Sequence, residues 1–173
     1  MLPKLTFVLG GAASGKSLWA ENLLLASNLT PVYLATSRIH DDEIKTRVDI
    51  HKSRRRDRWV NYEAELDLHP VLAPLYSHHG ALVDCATMWL TNHMMDGSDI
   101  AAAQTALLGA LAATSAPVIV VSNEVGHGIV PDNALARKFR EAQGRLNIAL
   151  AAQADVAVQI IAGLPIVLKG QLP

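Results

Sequence analysis

Leu5-Thr6-Phe7-Val8-Leu9-Gly10-Gly11-Ala12-Ala13-Ser14-Gly15-Lys16-Ser17 is the stretch on which the reading of the fold turns. Residues 5–9 have the length and apolar content of a buried strand, and a helical pattern opens at Lys16. Between them stands Gly-x-x-x-x-Gly-Lys-Ser, in the strand-to-helix context that gives this spacing its meaning. Glycines let consecutive backbone N–H groups turn toward phosphate oxygens with no Cβ in the way. The start of the helix adds the positive end of its dipole. Residues 10–17 (Gly10, Gly11, Ala12, Ala13, Ser14, Gly15, Lys16 and Ser17) are therefore expected to bind a nucleoside triphosphate. Lys16 would bridge the β- and γ-phosphates, and Ser17 would hold Mg2+ through its hydroxyl.

Working outward, short apolar runs at 5–9, 32–35, 81–84, 118–122 and 156–161 alternate with helical patterns at 16–27, 41–58, 87–95, 99–113 and 133–154. Nearly continuous apolar strands point to a mostly parallel sheet with helices on both faces, and the alternation to right-handed crossovers. The segment 60–80, with Pro70, Pro74 and Gly80, predicts a short helix and a loop. No repeat or linker interrupts the pattern. The expected fold is α/β: one phosphate-loop NTPase-like (RecA-like) domain over residues 1–173.

Half of the residues are hydrophobic and the net charge is −1, which fits a well-packed globular chain and argues against a general nucleic-acid binder. No apolar stretch is long enough to span a bilayer, and no secretion signal is legible ahead of the glycines. Cys85 is the sole cysteine, so neither an intrachain disulfide nor a cysteine metal site is expected, and a reducing cytoplasm fits.

In this kind of sheet ligands bind beyond the C-terminal ends of the strands. Ala81-Leu82-Val83-Asp84 ends there in a carboxylate, a candidate second Mg2+ ligand, with Glu124 the competitor and a helix-capping Asp the plainer reading. Helix 41–58 places Arg47 and His51 on one face, followed by Lys52, Arg54, Arg55 and Arg56. On pattern alone this is a solvated basic helix end. The sharper reading is a phosphate-handling face, with imidazole as the nucleophile toward phosphorus and guanidiniums stabilising the charge that builds there. Ser122-Asn123-Glu124-Val125-Gly126-His127-Gly128-Ile129-Val130-Pro131 leaves a strand at the ligand edge and reads as a substrate wall or as a tight crossover. His78-His79 reads as a surface loop, Trp19 and Trp89 as packing residues, and Cys85 as a small buried strand-end residue.

These residues together resemble the bifunctional adenosylcobinamide kinase/adenosylcobinamide-phosphate guanylyltransferases. Beyond residues 10–17, the resemblance is carried by Tyr33-Leu34-Ala35-Thr36-Ser37, Asp42-Glu43-Ile44, Arg47-x-x-x-His51-Lys52, Arg55, Trp59 and Glu63. It continues through Val83-Asp84-Cys85, Thr87 and Trp89-Leu90-Thr91-Asn92. It closes with Ser122-Asn123-Glu124-Val125-Gly126, Ile129-Val130-Pro131, Leu135-Ala136-Arg137-x-Phe139-Arg140, Gly144-Arg145-Leu146-Asn147 and Ala162-Gly163-Leu164-Pro165.

The resemblance implies two reactions: phosphorylation of adenosylcobinamide by ATP or GTP, then transfer of GMP from GTP through a histidine to adenosylcobinamide phosphate. It implies that His51 carries the GMP. It also implies nucleotide contacts at Thr36, Ser37, Arg38, Lys52, Ser53, Arg54, Arg55, Glu63 and Asp84, with Mg2+ on Ser17 and Asp84, and assembly as a homotrimer. Two departures stand out: Ala13 occupies a position where relatives often carry Arg, and Ile50 precedes the single candidate histidine. A small-molecule kinase without GMP transfer and a nucleotide-reporting switch are the competing readings of the same loop.

Overall fold

The computed structural model describes residues 1–38 and 58–173. Its strands are β1 (Leu5–Gly10), β2 (Thr30–Ala35), β3 (Val60–Glu63), β4 (His79–Asp84), β5 (Val118–Asn123), β6 (Val156–Ile161) and β7 (Leu164–Lys169). The helices among the described residues are α1 (Lys16–Leu25), α2 (His69–Leu72), α3 (Ala86–Met95), α4 (Ile100–Ala113) and α5 (Ala134–Gln153). One sheet runs in the order β3-β2-β4-β5-β1-β6-β7, parallel throughout except for β7, which pairs antiparallel with β6.

The central strands are apolar on both sides, and alternate residues enter two separate cores. Phe7, Leu34, Val83 and Val120 face Trp89, Leu90, Leu107, Leu111, Leu146 and Leu150 of α3, α4 and α5. Val8, Tyr33, Leu82, Ile119, Val121 and Val158 face Ala20 and Leu24 of α1. Helices thus lie on both faces, as a parallel sheet with apolar strands requires. Helix ends are set by local chemistry: Asp99 caps α4 by accepting from Ala101 N and Ala102 N, and Asn133 caps α5 by accepting from Ala136 N.

Two strands depart from the expectation. Residues 60–63, expected within a helix-and-loop segment, form β3 parallel to β2, with the short helix following at α2. All four β3 residues are exposed, so no buried face marks them in the sequence. Residues 164–169 form β7, a second edge strand exposed at every position. The expected helix at 41–58 lies almost wholly outside the described residues.

Candidate active site

Gly10 closes β1 in register with Asn123 of β5 and Ile160 of β6. A side chain at Gly10 would meet Ser14 Oγ at 2.5 Å and the Ile160 carbonyl at 2.9 Å, so the crossing of strand and loop admits only glycine. The loop then folds back, with Ser14 N donating to Gly11 O at 3.3 Å, and α1 begins after Gly15, whose φ is 91°. α1 has no side-chain cap, in contrast to α4 and α5, and no acid in its first turn. No side chain of the protein caps its first N–H groups, an arrangement that suits an anion. Ala12 and Ala13 are exposed, Ala13 in the left-handed region at φ 54°. Lys16 Nζ donates to Gly11 O at 3.1 Å, lying over the loop it follows.

Asp84 ends β4 opposite Ala35 of β2 and receives a hydrogen bond from Tyr33 OH at 2.9 Å. Cys85, next in sequence, starts the turn into α3 and is buried. Burial, reinforced by the Asp84 carboxylate, pushes its thiol up to about 11, while the Lys16 ammonium acts in the opposite direction. Lys16, Asp84 and Cys85 therefore share one electrostatic neighbourhood. The Ser17 hydroxyl and the Asp84 carboxylate are hard oxygen donors of the type Mg2+ takes in ones and twos, completing its shell with phosphate oxygens and water. Their chemistry fits that ion. Glu124, the competing carboxylate, bonds within its own turn, accepting from Gly126 N.

Thr36 is buried beyond β2 and joins two strands: its Oγ1 donates to Cys85 O at 2.7 Å and accepts from Cys85 N at 2.8 Å. Asn92 of α3, also buried, donates through Nδ2 to Thr36 O at 2.7 Å and to Glu65 O at 3.0 Å. Ser37 is half-buried, and Glu63 is exposed at the end of β3. Arg38 is held by two carboxylates: Nε to Glu65 at 2.6 Å and a bidentate fork to Asp96 at 2.7 Å on each arm. Hydrogen bonding to Asp96, then to Glu65, raises its already high pKa further. The structure thus brings residues 10–17, Thr36, Ser37 and Asp84 to one edge of the sheet, with Glu63 on the outermost strand. Arg38 is turned toward Glu65 and Asp96. His51, Lys52, Ser53, Arg54 and Arg55 lie outside the described residues, as does Arg47.

The loop after β5 is built from the other side. Glu124 N donates to Gly10 O at 3.0 Å, and Asn123 N donates to Thr87 Oγ1 at 2.8 Å, so the loop starts beside the phosphate loop. Beneath it lies a buried polar knot. Ser122 Oγ donates to Asn147 Oδ1 at 2.7 Å, Gln143 Nε2 bonds both groups at 2.9 Å, and Asn147 Nδ2 reaches Asn123 O at 3.2 Å. Two arginines of α5 hold the loop's carbonyls: Arg140 binds those of Gly126 and Ile129, and Arg137 those of Pro131 and Asp132. Ile129 and Val130 are left exposed at the tip. Gln143, Leu146, Asn147 and Leu150 recur at helical spacing on the buried face of α5. Two polar residues within that apolar stripe were the legible sign of the knot.

Elsewhere, Trp89 is buried and its indole donates to Leu66 O at 2.6 Å, in keeping with a packing role. His79 begins β4 and accepts from Tyr76 N at 3.1 Å, with the His78 ring tilted beside it at a centroid distance of 4.0 Å. Among the described residues, no cluster of three His, Cys, Asp or Glu side chains is arranged to hold a metal, and no helix is long and apolar enough to cross a membrane.

The chain is similar to known proteins along nearly its whole length. Residues 6–168 match the family described as cobinamide kinase / cobinamide phosphate guanyltransferase. The bifunctional adenosylcobalamin biosynthesis protein CobP of Pseudomonas aeruginosa is 38% identical over 167 residues, covering 95% of this chain and 96% of that one. The bifunctional adenosylcobalamin biosynthesis protein CobU of Escherichia coli is 36% identical over 178 residues, covering 94% and 98%. Among solved structures, the flagellar accessory protein FlaH of Methanocaldococcus jannaschii aligns with a TM-score of 0.53 at 12% identity, covering 99% of this chain and 80% of that one. The RadB recombinase aligns with a TM-score of 0.54 at 17% identity, covering 91% and 74%. These two likenesses are of fold alone.

Proposed function

The chain belongs to the cobinamide kinase / cobinamide phosphate guanyltransferase family, and from that premise we propose that one phosphate loop serves two successive transfers on one corrinoid. In the first, the hydroxyl of the aminopropanol arm of adenosylcobinamide attacks the γ-phosphorus of ATP or GTP, and the nucleoside diphosphate leaves. In the second, a ring nitrogen of His51 attacks the α-phosphorus of GTP and pyrophosphate leaves. A phosphate oxygen of adenosylcobinamide phosphate then displaces the histidine from phosphorus, giving adenosylcobinamide-GDP and free His51. Splitting the transfer through a covalent intermediate replaces one difficult displacement by two easier ones.

The observation that carries this reading is the uncapped start of α1 beside Lys16 and Asp84. Backbone N–H groups of residues 10–17 orient the phosphates, and Lys16 neutralises charge that grows on them. Mg2+ held by Ser17 and Asp84 would add further neutralisation at the β- and γ-oxygens. Thr36, Ser37, Arg38 and Glu63 are assigned to the nucleoside side, with Lys52, Ser53, Arg54 and Arg55 supplying cations near His51. For Arg38 this requires exchanging its carboxylate partners for the nucleotide. The loop 124–132, with Ile129 and Val130 exposed above its arginine supports, is assigned to the corrinoid. We assign the protein to the cytoplasm, as a homotrimer. In support of self-association, β7 presents Leu164, Ile166, Val167 and Leu168 with between 44% and 70% of their surface exposed on an edge strand.

The test is covalent labelling. GTP labelled at the α-phosphate should attach to the wild-type protein and not to His51→Ala, which should still phosphorylate adenosylcobinamide. Persistent label on that variant would remove His51 from the mechanism.

A further inference from the structure

The segment Ala162-Gly163-Leu164-Pro165 takes no part in the steps above, yet it touches the loop that performs them. β6 and β7 are joined by just two residues, Ala162 at φ 51° and Gly163 at φ 80°, with Ile161 paired to Leu164 across the turn. Two left-handed residues in a two-residue connection give the twist a hairpin needs. Because β6 lies directly beside β1, with Ile160 opposite Gly10, this turn emerges next to the phosphate loop. It then bonds to it: Gly163 N donates to Ser14 O at 2.8 Å. The approach is close enough that a Cβ on Gly15 would lie 3.1 Å from Gly163 Cα. The Ser14 hydroxyl is buried without a hydrogen-bond partner among the described residues, which leaves the backbone to hold this residue in place.

We propose that Gly163 is a positioning residue for the triphosphate, acting through the Ser14–Gly15 peptide. In a planar trans peptide the carbonyl and the following N–H point in opposite directions. Anchoring the Ser14 carbonyl to the hairpin therefore turns the Gly15 N–H away from the hairpin, toward the side on which the phosphates are bound. Without the anchor that peptide is free to rotate, and an N–H donor is lost from the cradle. The β6–β7 turn thus acts as a back wall of the phosphate loop. This inference rests on the reading of residues 10–17 as the triphosphate site.

The experiment compares Gly163→Val, whose branched side chain resists φ near 80°, with Gly163→Asn, which tolerates it and keeps the N–H. Losing the net contribution of one hydrogen bond should raise the Kd for GTP roughly 2- to 12-fold in Gly163→Val, with the KM for the corrinoid unchanged and Gly163→Asn restored to near wild type. A Gly163→Val protein with a lower urea midpoint but an unchanged Kd overturns the proposal, because the turn is then structural only. Lys16→Ala separates the two readings: if it too binds GTP normally, the phosphate-loop assignment itself fails. Should Gly163→Val not fold, amide exchange at Gly163 in the wild-type protein decides. GTP should slow that exchange, and an unchanged rate overturns the proposal.

Discussion

Replacing Asn92 by Ala removes a single amide on which two backbone carbonyls depend. Asn92 Nδ2 donates to Thr36 O at 2.7 Å and to Glu65 O at 3.0 Å, and the side chain is 1% exposed. The first contact is buried and the second half-buried, so water replaces the lost donor poorly at one and in part at the other. A buried acceptor left unmet costs about 1–3 kcal/mol, which puts the pair at about 2–4 kcal/mol. Against a domain stability of about 5–15 kcal/mol that is a large fraction. At about 2–4 °C per kcal/mol for a chain of this size, Tm should fall by about 4–16 °C. Urea titration should show the midpoint moving with the slope m unchanged, since the native fold is retained. Asn92→Asp should be worse than Ala, because it turns an acceptor toward two acceptors. A shift in Asn92→Ala below about 0.5 kcal/mol, the range of an ordinary surface change, would refute the argument that Asn92 braces the ends of β2 and β3.

Two further outcomes follow from packing and exposure. Gly80→Ala introduces a Cβ that would strike Leu24 Cδ1 and approach Leu29 Cδ1 at 3.1 Å, where α1 and the β2 approach meet β4. Overpacking of this kind should cost about 1–3 kcal/mol in urea unfolding, and a neutral result would mean that the Leu24 and Leu29 side chains rotate aside without cost. On β7, Ile166→Lys combined with Leu168→Lys should reduce the proposed trimer to monomers in sedimentation velocity while leaving the fold intact. Association unchanged by both charges would move the interface elsewhere.

The residues that read clearly are those whose role is local. The strand-loop-helix of residues 5–25 has its meaning in eight consecutive positions, and Asp84 was visible as a carboxylate closing an apolar strand. The cap at Asn133 is equally local, since a cap acts within three residues of itself. Residues 60–63 do not read as a strand in the sequence, because they are exposed on an edge and carry no alternation that a buried face would impose. β7 was hidden for a related reason: Pro165 argues against a strand unless the strand is an edge, and Ala-Gly is a weaker turn signal than Asn-Gly.

The amino-acid order alone was enough for the fold class, which depends on residue type at short spacing, and, through resemblance, for the kinase and guanylyltransferase family. It could not say what Asn92 or Gly163 is for. Each acts on backbone groups distant in sequence: Asn92 on the carbonyl of Thr36, Gly163 on that of Ser14. A carbonyl carries no side-chain signature, so the need for a donor arises when folding buries it. The Gly-x-x-x-x-Gly-Lys-Ser signal is written in residues 10–17, while the contact that holds the Ser14 carbonyl comes from a hairpin about 150 residues away, where packing brings two backbones within hydrogen-bonding distance.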